Sequence, residues 1–149
     1  MTEAVQTSGP EDWTIARVLT WASDDFKGRG IDSARLDAEL LLAEALGLDR
    51  IRLIVESRRP LAPAELGRFR DLIKRRRGGE PIAYILGRRE FFGHEFRVDA
   101  RVLIPRPDTE TLVDWALELL AGTTATDVAD LGTGSGAIAL ALKHARPNL

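Results

Sequence analysis

The 149-residue chain has no cysteine, so it forms no disulfide and offers no thiolate to a metal. It has only two histidines, His94 and His144, far apart and without ligand-like spacing, which argues against a zinc site. No apolar run reaches the roughly 18 residues of a membrane span. The opening stretch is polar and acidic, unlike a secretory signal. These absences predict a cytoplasmic protein without membrane contact. Net charge is small, −2, but unevenly spread. Residues 1–49 sum to −6, residues 50–77 to +7, and residues 78–149 to −3. The basic block reads either as a partner surface or as a solvated helix face whose last turn gathers cations against the helix dipole.

Read in order, residues 1–11 lack apolar periodicity and predict a flexible tail. From Trp13, a stripe of Ile15, Val18, Leu19, Ala22 and Phe26 predicts an amphipathic helix closed by Gly28 and Gly30. Ser33 is placed to cap a second helix, with Leu36, Leu40, Ala43 and Gly47 in one line and Leu41, Leu42 and Leu46 widening it. A short helix is expected near Asp49–Ser57, with Ile51, Ile54 and Val55 inward. Pro63 suits the first position of a fourth helix, striped by Leu66, Phe69, Leu72 and Ile73. Lys74 to Arg77 close that helix and Gly78-Gly79 break it. Residues 12–80 thus read as a helical bundle with no catalytic constellation. Trp13 and Trp21 read as core or surface aromatics.

A short helical turn over Glu80–Gly87 follows. Two strands flanking Gly93-His94 then predict a type II′ hairpin, with His94 an exposed turn residue. Residues 81–104 are expected to be a linker. After Pro105-Arg106-Pro107, Asp108 is placed to cap a helix with Leu112, Val113, Ala116, Leu117 and Leu120 on its apolar face and Gly122 at its end. Thr123–Thr126 is a polar loop.

The stretch Val128-Ala129-Asp130-Leu131-Gly132-Thr133-Gly134-Ser135-Gly136-Ala137-Ile138-Ala139-Leu140 predicts a buried strand over Asp127–Leu131, a tight glycine turn and a helix. Glycine permits positive φ and lets a ligand lie against bare backbone. The helix start offers unpaired N–H groups. Gly132, Gly134 and Ala137 fit a dinucleotide turn. Asp130, Gly132, Gly134 and Gly136 fit the S-adenosylmethionine (AdoMet) turn of class I methyltransferases. An acid at the strand end would repel a pyrophosphate but favours the ammonium and sulfonium of AdoMet. A turn with no ligand remains the third reading. One strand and one helix do not make a parallel sheet, so the chain reads as the N-terminal part of a longer protein.

Several stretches together resemble the release-factor glutamine methyltransferases (the HemK/PrmC type). They are Leu36-Asp37-Ala38-Glu39-Leu40-Leu41-Leu42, Glu80-Pro81-Ile82-Ala83-Tyr84-Ile85-Leu86-Gly87, Arg89-Glu90-Phe91-Phe92-Gly93, Leu103-Ile104-Pro105-Arg106-Pro107-Asp108-Thr109-Glu110 and Asp130 to Leu140. The glycine motif is common to many methyltransferases. The Ile-Pro-Arg-Pro-Asp-Thr-Glu stretch before it is far more specific.

The resemblance implies an α+β chain: a helical substrate-recognition bundle (12–80), a β-hairpin linker (81–104) and the truncated start of a class I, Rossmann-like α/β methyltransferase domain (105–149). It implies AdoMet as cofactor, held by Asp130, Gly132, Thr133, Gly134, Ser135 and Gly136, with Arg106, Pro107 and Thr109 near the pocket. It implies methylation of the side-chain amide of the glutamine in the Gly-Gly-Gln motif of peptide chain release factors. The family's Asn-Pro-Pro-Tyr motif and ribose-binding acid are expected beyond residue 149. No catalytic residue is therefore expected within these 149 residues, and the chain by itself is expected to be inactive. Direct nucleic-acid binding is not expected; the alternatives are a methyltransferase acting on DNA or RNA bases and a non-enzymatic helical binding module with an inert appendage.

Overall fold

The computed structural model describes residues 13–124 and 127–149. The expected tail over 1–11 and the loop positions 125 and 126 lie outside the described residues. The chain divides into two compact units, one running to Ile82 and one over Ala83–Leu149. Helices and one two-stranded antiparallel sheet make an α+β protein. Among the described residues, no helix is long and apolar enough to cross a membrane.

The first unit holds α1 (Ile15–Gly28), α2 (Ala34–Leu46), α3 (Arg50–Val55) and α4 (Pro63–Arg77). The α1 stripe of Ile15, Val18, Leu19, Ala22 and Phe26 is buried as its periodicity predicts. The first amides of α1 lack intrahelical acceptors. Two of them donate instead to backbone carbonyls of the loop before α4, Ile15 N to Arg59 O at 3.0 Å and Ala16 N to Ser57 O at 2.9 Å. Pro63 opens α4, and Glu65 reaches back to accept from the Ala62 N–H at 2.8 Å.

Three expectations for this unit are corrected. The buried face of α2 is Ala34, Ala38, Leu41, Leu42 and Ala45, while Leu36 is 43% exposed. A helix apolar on all sides gives periodicity no direction to choose. What fixes the rotation of α2 is Asp37, 1% exposed, which pairs with Arg76 of α4 at 2.7 Å. Ser33 stands at the N-cap of α2 without capping it, because its hydroxyl donates to Asp37 at 2.9 Å. In α3 only Leu53 is buried, and Ile51, Ile54 and Val55 face solvent. Six residues make under two turns, so α3 has room for one inward anchor.

The second unit opens with α5 (Ile82–Leu86), closed by Gly87 at φ +70°. Strands β1 (Arg88–Phe91) and β2 (His94–Arg97) follow, with Phe91 opposite His94 and Arg89 opposite Phe96. The hairpin is where the sequence placed it, but the turn residues are Phe92-Gly93, both with positive φ (51° and 74°). This is the type I′ pattern, not II′. A bulky residue at positive φ is costly. Here two carboxylates hold it, Glu110 accepting from the Phe92 N–H at 3.1 Å and Glu90 from the Gly93 N–H at 2.8 Å. His94 is consequently the half-buried first residue of β2, not a turn residue, and its ring stacks on His144 at 4.1 Å between centroids.

A 3-10 turn (Pro107–Thr109) leads into α6 (Glu110–Leu120), and α7 (Ala137–Ala145) packs against it. Asp108 does not cap α6. Pro107, with its φ near −65°, starts the helical turn early, so Asp108 lies inside the 3-10 segment. The core joins Phe91, Phe96, Val98, Val113, Ala137, Ala141 and Leu142. Arg146, just past α7, donates to the Leu120 and Thr123 carbonyls at the end of α6.

Candidate functional site

The expected strand over Asp127–Leu131 does not form. Val128 is 49% and Leu131 93% exposed. A strand is stabilised by ladder partners, and among the described residues the only sheet is the β1–β2 hairpin. The sequence has the side chains of a buried strand, but among the described residues no strand is paired with it.

The turn after it is well defined. Gly132, Gly134 and Gly136 take φ of 80°, 55° and 77°. All three lie in the left-handed region, which glycine alone enters without strain. The Gly136 N–H donates to Thr133 O at 2.8 Å, closing the turn. The Thr133 hydroxyl donates to one carboxylate oxygen of Asp130 at 2.9 Å, tying the acid to the loop. Gly136 then serves as N-cap of α7, with no side chain hydrogen-bonded to the helix start. An added Cβ at Gly132 would meet nothing within 4 Å, so the backbone lies open at that glycine. Ser135 is half-buried beside it.

The turn thus combines a carboxylate with open backbone N–H groups. Asp130 keeps its second carboxylate oxygen without a hydrogen bond among the described residues, available to an ammonium or a hydroxyl. The glycine backbone and the α7 start supply N–H groups and close approach. Asp130 also lines a cavity of about 200 Å³ with Val128, Ala139, Leu142, Lys143 and Leu149.

The Pro-Arg-Pro-Asp-Thr-Glu stretch and the glycine turn are brought onto neighbouring helices, since α6 and α7 pack together. Arg106 and Pro107 are exposed and Thr109 half-buried at the start of α6. Sequence reasoning missed the second use of Glu110, whose carboxylate turns away from its own helix to hold the hairpin. It also missed the His94–His144 stack, which no local pattern signals. Six cations of the basic block pair with carboxylates. Arg50 meets Glu39, Arg52 meets Glu56, Arg59 meets Glu65, Arg75 meets Glu80, Arg76 meets Asp37 and Arg77 meets Asp25. Arg68 donates to the Ala45 carbonyl.

Comparison with known proteins bears on the same stretches. Residues 17–87 match the PrmC N-terminal domain. Over 142 residues the chain is 47% identical to the release factor glutamine methyltransferase of Geobacter sulfurreducens, covering 95% of this chain and 49% of that protein. It is 42% identical over 146 residues to that of Rhodopirellula baltica, covering 95% of this chain and 49% of the relative. With that of Burkholderia pseudomallei it shares 51% identity over 113 residues, covering 76% of this chain and 40% of the relative. The chain spans about half the length of the curated relatives it matches. The chain is thus similar over most of its own length to release factor glutamine methyltransferases, and over residues 17–87 to the PrmC N-terminal domain.

Proposed function

We propose that the protein to which this chain belongs transfers a methyl group from AdoMet to the side-chain amide nitrogen of the glutamine in the Gly-Gly-Gln motif of peptide chain release factors. In this reading Asp130, Gly132, Thr133, Gly134, Ser135 and Gly136 hold AdoMet, residues 105–149 open a Rossmann-like methyltransferase domain, and the helical bundle over 12–80 recognises the acceptor protein. Residues 81–104 link the two parts. A cytoplasmic location fits a substrate of the translation machinery.

The observation that carries the reading is the turn itself. Three left-handed glycines, an acid held by Thr133 and an uncapped helix start occur together in a chain similar to release factor glutamine methyltransferases. AdoMet, when bound, supplies an activated methyl group on a sulfonium. The turn binds and orients it. A carboxamide nitrogen is a poor nucleophile because its lone pair is shared with the carbonyl, so the acceptor must be held in line and polarised by hydrogen bonds. No group within these 149 residues is assigned to that grip. The chain by itself is accordingly expected to be inactive.

The reading as a nucleic-acid base methyltransferase is the less favoured one, since most cations of the basic block have partners within the bundle. The test is calorimetry with AdoMet on a version extended to the length of its relatives, wild type against Gly134→Val. Gly134 has φ +55°, which a β-branched residue strongly resists. Binding is expected in the wild type and at least a tenfold loss in the variant (about 1.4 kcal/mol). Equal affinity in a folded variant would remove the assignment of this loop.

A further inference from the structure

Within the glycine turn, Thr133 is used twice. Its carbonyl accepts from the Gly136 N–H at 2.8 Å and closes the turn. Its hydroxyl donates to a carboxylate oxygen of Asp130 at 2.9 Å. The flanking Gly132 and Gly134, at φ 80° and 55°, turn the chain back so that the side chain reaches an acid three positions earlier.

A hydroxyl has one hydrogen to give. That of Thr133 is spent on Asp130, so it is not also available to a ligand. Threonine is branched at Cβ and stiff about χ1, so the bond is made from a rigid arm. A carboxylate held in one direction beforehand meets a cation with less loss of side-chain entropy than a free one.

The bond also leaves the charge of Asp130 unspent. Asp25, Glu39, Glu65 and Glu80 are each paired with an arginine. Asp130 is tied by a neutral group instead, and it makes no ion pair among the described residues. Lys143 lines the same cavity of about 200 Å³, but its ammonium donates to the Pro147 and Leu149 carbonyls. The acid is therefore fixed, charged and without a cation of its own.

We infer that Thr133 is a positioning residue, whose hydroxyl sets the Asp130 carboxylate for the ammonium at the amino-acid end of AdoMet and so adds affinity only for ligands that carry this end. The inference rests on the reading that the turn binds AdoMet. It adds how the acid is set and which part of the ligand it serves.

The experiment uses the version extended to the length of its relatives, with calorimetry for affinity and circular dichroism as the fold control. The ligands are AdoMet, S-adenosylhomocysteine, which has the same amino-acid end, and 5′-methylthioadenosine, which lacks it. Thr133→Val keeps the shape and loses the hydroxyl, and Thr133→Ser restores the hydroxyl. Thr133→Val is expected to weaken the first two ligands about tenfold and methylthioadenosine by less than about twofold, with Thr133→Ser within about threefold of the wild type. On an Asp130→Asn background, Thr133→Val should cost no more than about twofold further, because its route to the ligand is already gone. Equal loss for all three ligands, loss that serine does not restore, or a full loss on the Asp130→Asn background overturns the inference and makes Thr133 structural. The rescue and the double variant decide the matter even where methylthioadenosine binds too weakly to titrate. AdoMet affinity lowered by Asp130→Asn but not by Thr133→Val overturns the inference and leaves the turn as the cofactor site. Affinity unchanged in every variant, Asp130→Asn included, overturns the inference and removes Asp130 from the site.

Discussion

Asp37 is a carboxylate at 1% exposure in a bundle otherwise closed by aliphatic and aromatic side chains. It is tolerated because Ser33 donates to one oxygen at 2.9 Å and Arg76 to the other at 2.7 Å. Arg76 also donates to the Glu80 carbonyl, so one guanidinium ties α2, α4 and the exit from α4. Removing one member of such a pair leaves an uncompensated buried charge, at a cost of about 3–5 kcal/mol. Asp37→Ala should therefore lower stability by about that much in urea unfolding followed by circular dichroism. A loss under about 1 kcal/mol would mean that water reaches Arg76 and the pair is not holding the helices. None of this is legible in a string of letters. Asp37 sits where a hydrophobic pattern predicts a surface position, and its partner is 39 residues away. The glycines are the opposite case. Gly132, Gly134 and Gly136 announce left-handed backbone by their own chemistry, and all three adopt it.

At the scale of elements, legibility followed periodicity and failed where periodicity had no room. The α1 stripe and the Pro63 start of α4 follow from side-chain spacing and the geometry of proline. The six residues of α3 offered several apolar candidates, and contact with α1 and α2 decided for Leu53. Leu53→Ala should cost about 2–5 kcal/mol as a buried truncation. Ile54→Ser, at a position 75% exposed, should leave stability within about 0.5 kcal/mol. Comparable losses in the two variants would mean that α3 packs the other way round. The missing strand at Asp127–Leu131 teaches the same lesson from the other side. Its composition is that of a buried strand, but strand structure resides in pairing. The site was therefore legible in its turn and not in the strand leading to it.

Acid sensitivity follows at the same scale from the pairs that join helices. The Arg77 hydrogen bond holds the Asp25 carboxyl below its ordinary range despite some burial. For Glu39, burial pushes upward, but hydrogen bonds from Arg50 and Arg35 outweigh it. The Ala62 N–H, then Arg59, lower Glu65, and Arg75 lowers Glu80. These folded values lie below the ordinary 3.8 of Asp and 4.5 of Glu. Around pH 4 the unfolded chain thus binds more protons than the folded one, and stability rises with pH across that window. The contribution is complete above about pH 5.5 and is lost as pH falls through the folded values. Urea midpoints of the helical signal should agree at about pH 7 and 5.5 and fall clearly at about pH 3. A midpoint unchanged at the lowest pH would show that these pairs are as loose as ordinary surface contacts.

For the molecule as a whole, the proposed function places acceptor recognition in the bundle and cofactor binding in the glycine turn. Exposed Leu131, Trp115 and Leu119 in the second unit accord with a surface meant to be covered. Under the proposed function, this chain supplies acceptor recognition and the cofactor turn, and none of its residues is assigned to the grip on the acceptor amide. The most direct measurement is transfer of labelled methyl from AdoMet to a release factor. It compares the 149-residue chain with a version extended to the length of its relatives, using as control a release factor with the Gly-Gly-Gln glutamine replaced by alanine. Transfer is expected from the extended version to the intact motif only, and none above background from the short chain. Transfer by the short chain near the extended rate, or labelling of the control, would contradict these assignments.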